Sequence, residues 1–517
     1  MKIVSFFRAC WQRRWFRTLV WVGVFILTLG VLVHQWANWA GARAWAQAAQ
    51  SMTAEGETLN YRAVIDAPVP ESENFGALPV FKNICLQTED AEGLAADEVR
   101  RRLDRLRIPP GKDGSPADRP RTSTAAVLGQ PVNLAAWAEW LRKEGTVKVP
   151  DTGNAAQDIL EAMAEHDAVI KEMAAGLDRP SAQWTPAWKT RELPGFTYSL
   201  PVPQYSTLQG LGNYLQLRAT AAAQAGDAVK AHESLLILTR VSQATLREPF
   251  LIGSLVAMSQ IAMLHQGVWE VCHARLGTAA DFDRLRVEIA KLHPASALLM
   301  SLRAETAMSA STILWLRNQR DLATLNALAD GLNADRSAVG MFFLLPRGWF
   351  DANAAEIVSM SLKHLILPLR DKGLAASVDQ QEVMDAELLK AKGEHLWNLD
   401  KIMAFLTLPA MGKIVQRAAY TESLVLQMQA ACALESSYLT SQHYPDSLAD
   451  MVLPVDPLSQ QPLSYRKEGK GGYRLWTPGF DLKDDDGMRG LKPGNPEGTK
   501  FNDAAYKGDW VWNYRGR

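Results

Sequence analysis

The sequence predicts a mainly α-helical protein with one N-terminal transmembrane helix, a large helical-hairpin domain and a small C-terminal antiparallel β subdomain after a long helix. Three observations carry this. A basic segment precedes an apolar run at the start, apolar residues recur at helical spacing from about 154 to 440, and the texture then changes to Pro, Gly, Asp and aromatic residues. The expected units are 1–17, a cytoplasmic basic segment; 18–42, a transmembrane signal-anchor; 43–132, a membrane-proximal helix and Pro-rich connector; 133–411, the α-helical domain; and 412–517, the long helix with its β tail.

The anchor is read from Lys2, Arg8, Arg13, Arg14 and Arg17, with no acidic residue before Glu55, followed by the apolar run Leu19–Val33. About 20 mostly apolar residues cross a bilayer, and Thr18 and the stretch through Trp36 and Trp39 to Ala42 extend the run to that length. Trp11 and Trp15 before it and Trp36, Trp39 and Trp45 after it stand where interfacial aromatic belts lie. The basic flank predicts a cytoplasmic N-terminus, an inner-membrane single pass and an extracytoplasmic or periplasmic body. Small residues at Ala40–Ala42 and Ala44–Ala46 also suit a signal-peptide cleavage site, but the long, Trp-rich apolar region favours a retained anchor.

Composition narrows the rest. With 47% apolar and 21% charged residues in 517, the chain can bury a large core and is not wholly disordered. A formal net charge of −1 excludes nucleic-acid binding by bulk charge. Four cysteines exclude a disulfide-stapled miniature fold; Cys85, Cys272 and Cys432 fall on the outer side and read as buried small apolar residues.

Along the body, residues 58–90 with Pro68, Pro70 and Pro79 read as an extended connector, and Glu98–Arg107 as a charged helix stopped at Pro109-Pro110. Residues 108–132 have a disorder-like composition. Asn133 is placed to cap the helix that begins at Leu134. Leu208, Leu211, Leu215 and Arg218, then Ala228, Ala231, Leu235, Leu238 and Val241, mark two helices joined at Gly226-Asp227, with Gly as C′ and Asp as N-cap. Further helices are expected over 250–273, 282–292, 296–316 and 356–366, divided at Pro294, Pro346 and Pro368. A long helix spans about 412–441, with Leu424, Met428, Ala431, Leu434 and Tyr438 on one face. Strand candidates follow at 462–466, 473–476 and 508–512, the first two joined by a Gly-rich loop.

The C-terminal fifth resembles the major pseudopilin of type II secretion systems. The residues that carry the likeness are Tyr438, Tyr444-Pro445, Leu448, Leu453-Pro454-Val455-Asp456-Pro457, Tyr465, Tyr473, Gly479-Phe480-Asp481 and Asp484-Asp485-Asp486-Gly487. The whole chain is also similar to a group of uncharacterised membrane-anchored bacterial proteins, through Glu55-Gly56-Glu57, Pro68-Val69-Pro70, Asn74-Phe75 and Asp509–Trp512; that similarity implies no activity. The pseudopilin leader, its peptidase site and its helix-start Glu have no counterpart at the N-terminus, so the resemblance extends to the shape of the tail and not to assembly into a filament.

The acidic loop Asp481, Asp484, Asp485 and Asp486 is the candidate metal site. Ca²⁺ takes several carboxylate and carbonyl oxygens, and the resemblance implies calcium in this loop. A solvated turn tipped by Asp486-Gly487 is the competing reading. Other residues carry less: His443 suits a helix C-terminus, His265 and His273 stand too far apart for a one-turn metal pair, and Ser464–Lys467 lies in a strand. Glu435 reads as a carboxylate bonded to Tyr or Arg, and Trp137, Trp140, Trp184 and Trp188 as core or partner-facing. No metalloprotease, nucleophile-elbow or Walker A motif occurs. The expected function is a non-enzymatic envelope scaffold or interaction module with an envelope protein partner, linked to secretion or pilus-like machinery. The alternative is an extracytoplasmic enzyme or ligand-binding protein with its site in the helical domain. A deep pocket with converging His, Glu and Arg would favour the alternative, and a shallow apolar groove the scaffold.

Overall fold

The computed structural model describes residues 11, 13–86, 91–108, 120, 128–144, 148–184, 202–319, 321–331, 345–394, 400–469, 471–493, 499–503 and 505–514. Lys2, Arg8, Cys10, Trp188 and most of 108–132 lie outside them. In chain order the helices are α1 (Arg14–Ala54), α2 (Ala91–Asp104), α3 (Leu134–Glu144), α4 (Ala155–Met163), α5 (Asp167–Ala174), α6 (Gln204–Ala225), α7 (Ala228–Leu246) and α8 (Leu251–Ala274). They continue with α9 (Ala279–Ile289), α10 (Pro294–Asn318), α11 (Leu322–Gly331), α12 (Arg347–Ser361), α13 (Leu367–Lys372), α14 (Leu374–Glu394) and α15 (Ile402–Ser441). Strands β1 (Ser464–Glu468), β2 (Gly472–Thr477) and β3 (Trp510–Tyr514) form one antiparallel sheet in the order β1-β2-β3.

Helix α1 has two regimes. Over its first half the apolar side chains face outward, with Trp21, Phe25, Leu27 and Leu32 61–71% exposed. Over its second half Ala37, Gly41, Ala48 and Met52 are buried against the body. A helix rises about 1.5 Å per residue, so the exposed stretch is long enough to cross a bilayer core of about 30 Å. One other described helix, α8, is as long and apolar as a membrane span, but it is mostly buried and carries Gln260, His265, Gln266 and Glu270 in the core.

Close approach sets the docking of α1 on α12. A Cβ on Gly41 would overlap the backbone of Gly348, and one on Gly348 would overlap the backbone of Ala37 and Asn38. The Gly348 amide donates to Asn38 Oδ1 at 2.9 Å. Helices α10, α14 and α15 complete this smaller bundle, whose core includes Met52, Leu302, Ile357, Leu365, Leu408 and Ile414. The larger core joins α2–α9, the outer half of α15 and the sheet, and includes Trp137, Leu215, Leu238, Trp269, Leu434, Tyr473 and Trp512.

Cap chemistry places several boundaries. Gly226 has φ +82° and Asp227 accepts from the Lys230 amide at 3.0 Å, so the α6–α7 hairpin turns where Gly and Asp permit it. Asn133 Oδ1 accepts from the Ala136 amide at 3.0 Å, capping α3.

Three expectations require correction. Over its described residues, 58–86, the expected extended connector instead folds into short turns over 61–64, 71–73, 75–77 and 79–81 that bury Phe75, Val80, Phe81 and Ile84; 87–90 lie outside the described residues. Phe81 packs edge-on against Trp184, with ring centroids 5.1 Å apart. The long helix begins at Ile402, with Pro409 inside it, so the division at 411/412 falls within one continuous helix. Proline removes one helical hydrogen bond, but buried Ala404, Leu408 and Met411 hold the turn on either side. Pro368 likewise does not break the chain; a π-type turn over Leu362–Ile366 precedes it and absorbs the missing donor.

Candidate functional site

Helix ends, not a motif, build the principal cavity. It measures about 650 Å³ and is lined by Glu57 and Asp66 beyond α1, Ser181, Arg247 at the end of α7, and Lys291, His293 and Arg303 around the start of α10. That volume lies within the range of about 300–1,000 Å³ usual for small-molecule sites. Glu57 is buried and receives Arg303 as a two-pronged partner, Nε at 2.7 Å and Nη2 at 2.6 Å, with Arg370 Nη1 at 3.0 Å. Arg247 donates from Nε to Asp66 Oδ2 at 2.9 Å and from Nη1 to Ser181 Oγ at 3.0 Å. Lys291 Nζ reaches Glu288 at 2.7 Å.

Arg247, Lys291 and Arg303 thus face the cavity against the carboxylates of Glu57 and Asp66. The N-terminus of α10, with Ser296 and Ala297 in the lining, adds the positive end of a helix dipole. Behind it Glu422 accepts from the Ala295 amide at 2.8 Å, and burial raises its carboxyl from 4.5 to about 7. Each of the three cations is paired with a carboxylate of the protein, Arg303 with Glu57, Arg247 with Asp66 and Lys291 with Glu288.

The acidic loop has a different construction. Asp486 accepts from Arg466 Nη1 with both oxygens at 2.8 Å, and Asp485 pairs with Lys483. Asp484 Oδ1 accepts from Trp476 Nε1 and from the Asp486 amide, each at 2.9 Å, while Asp481 accepts from the Lys483 amide at 3.4 Å. Each of the four carboxylates is therefore occupied by a donor of the protein. Among the described residues no three His, Cys, Asp or Glu side chains gather into a metal-sized group. The loop is organised by a fifth acid, Asp509, buried before β3, which accepts the amides of Asp485 at 3.2 Å and Gly487 at 2.7 Å. Burial raises its carboxyl to about 6.

The remaining residues of interest are structural. Glu435 is fully buried and accepts from Tyr444 Oη at 2.8 Å; burial raises it to about 7. His265 bonds Gln427 at 3.2 Å and burial lowers it to about 4, His273 stacks on Trp269, and His443 turns back on the Ser441 carbonyl. Trp137, Trp140 and Trp184 are core residues. Cys85, Cys272 and Cys432 are buried and unpaired.

Sequence reasoning did not bring Arg247, Lys291 and Arg303 together, because they come from separate segments with no fixed spacing. Three other residues stand at joints of the fold. Glu57 ties the end of α1 to Arg303, Asn74 Nδ2 donates to the Gln183 carbonyl at 2.9 Å, and Asp509 holds the acidic loop. No protein-family model, curated protein or solved structure matches this chain.

Proposed function

We propose that the protein is a single-pass membrane protein of the cell envelope whose outward-facing helical body binds a small anionic ligand in the Glu57–Arg303 cavity. The observation that supports this most directly is the convergence of His293, Glu57, Arg247, Lys291 and Arg303 on one cavity of about 650 Å³. This favours a ligand-binding protein over a bare scaffold. The exposed apolar half of α1 supports the anchor, and its docked half supports retention. Both small-residue cleavage candidates, Ala40–Ala42 and Ala44–Ala46, lie inside a helix packed on Gly348.

The pseudopilin likeness belongs to the same proposal as a likeness of shape, a long helix followed by a small antiparallel sheet. Calcium in the acidic loop is proposed with the affinity of extracellular modules, about 10⁻⁴–10⁻³ M, because the ion competes with Lys483 and Arg466 for Asp485 and Asp486. One experiment addresses both sites: thermal unfolding of the full chain in detergent with inorganic phosphate, citrate, Ca²⁺ or chelator. Phosphate or citrate is expected to raise Tm, by mass action on the native state, and the rise is expected to vanish in Arg247→Ala/Lys291→Ala. No rise, or one that survives in the double variant, would sink the cavity assignment. A calcium-dependent rise lost in Asp484→Ala/Asp486→Ala would support the metal loop, and its absence would remove it.

A further inference from the structure

The seam between anchor and body contains a second cavity. It measures about 400 Å³ and runs along the α1–α12 contact. Its floor is made of small residues, among them Ala40, Gly41 and Ala44 from α1 and Gly348 and Ala352 from α12. Trp36 and Trp349 stand at one end. Gln47, Glu356 and Lys401 line it further along, where Lys401 Nζ meets Glu356 Oε1 at 3.1 Å.

Direction fixes how this groove sits relative to a bilayer. Gly348 meets α1 at Ala37–Gly41, and Ser359 and Ser51 line the same cavity, so α12 runs alongside α1 in the same sense. The Trp36 end therefore adjoins the exposed apolar half of α1, and the Gln47 end points away from it. The groove is apolar where it meets the membrane-spanning stretch. Further out it carries two acids, Glu356 and Asp400, and one base, Lys401.

We propose that this groove holds one zwitterionic glycerophospholipid drawn from the bilayer that α1 spans, with acyl chain over the Ala40–Ala44 floor, phosphate toward Lys401 and ammonium toward Glu356 and Asp400. The inference rests on the anchor reading above. Small floor residues allow a flexible chain to lie close to both backbones, and paired Trp rings suit the boundary between apolar and wet regions. A headgroup between Lys401 and Glu356 meets both of its own charges with opposite ones. The lipid would complete the contact between anchor and body.

The test uses the full chain in phosphatidylethanolamine vesicles containing an alkyne-tagged phosphatidylethanolamine, with a diazirine amino acid at Phe25, Ala46 or Gln47. Gln47 lies about 16 Å further along the helix axis than Trp36, beyond the reach of bulk lipid if α1 stands near the membrane normal. Tagged adducts are expected at Phe25 and Gln47 but not at Ala46, which is exposed outside the groove. Filling the groove with Ala352→Trp is expected to abolish the Gln47 adduct and spare the one at Phe25. Labelling at Phe25 without labelling at Gln47 overturns the lipid site and leaves the anchor standing. A Gln47 adduct that matches Ala46 or persists in Ala352→Trp also overturns it, and absence of labelling at Phe25 removes the anchor reading itself.

Discussion

Four buried glutamates set the acid–base behaviour of the protein at the residue scale. Glu248 accepts from Gln204 and Tyr205, Glu270 from the Val132 amide and Gln224, Glu422 from the Ala295 amide, and Glu435 from Tyr444. Burial raises each carboxyl from 4.5 to about 7. Between those values the folded chain holds protons that the unfolded chain has released, so stability declines as pH rises from about 4.5 to about 7 and levels off above. His265, lowered from 6.5 to about 4, works in the opposite sense over most of that window, as does His232, which burial also lowers. The glutamates outnumber them. Tm is therefore expected to be higher near pH 5.5 than near pH 8, and Glu435→Gln, which keeps the shape and removes the titration, should flatten part of the slope. A Tm that rises steadily from pH 5.5 to 8 would show that these carboxylates are ionised in the folded protein.

At the scale of elements, the Gly41–Gly348 contact decides whether α1 belongs to the body or merely trails from it. A side chain at either position must push two backbones apart, and overpacking of this kind costs about 1–3 kcal/mol. Gly41→Leu is expected to lower the Tm and expose 44–57 to protease. Unchanged protection would mean that the contact contributes nothing to docking. The sequence revealed some elements better than others, for physical reasons. Gly226-Asp227 and Asn133 were legible because capping is local. The apolar run of α1 was legible because its length and its basic and Trp flanks are local features of the sequence. The turns over 61–81 were not, since they are held by Ser181, Gln183 and Trp184 from a distant part of the chain. Pro368 suggested a break that tertiary packing overrides. The cavity at Arg247, Lys291 and Arg303 was illegible for the same reason as the turns, because only the fold brings helix ends together.

Across the whole molecule, the C-terminal strand joins the two cores. Trp510, Trp512 and Tyr514 share one face of β3, with Trp510 in the smaller core and Trp512 and Tyr514 in the larger one. The strand is also tied by polar bonds: Trp269 Nε1 donates to the Asn513 carbonyl and Gln427 Nε2 to the Trp510 carbonyl, both at 2.9 Å. A tail hung on the end of a long helix would unfold by itself and leave the helices intact. A strand that closes both cores cannot, since its loss uncovers Trp269, Leu434 and Tyr473 on one side and Tyr420 on the other. Trp512→Ala removes a fully buried ring, a change that typically costs about 3–5 kcal/mol. The variant is expected to show one cooperative transition at lower temperature, with helical circular dichroism and tyrosine–tryptophan fluorescence lost together. A chain ending at 508 should fail to reach the native helical content. Separate transitions, with the aromatic signal melting first and the helices later, would instead make the β tail an independent module.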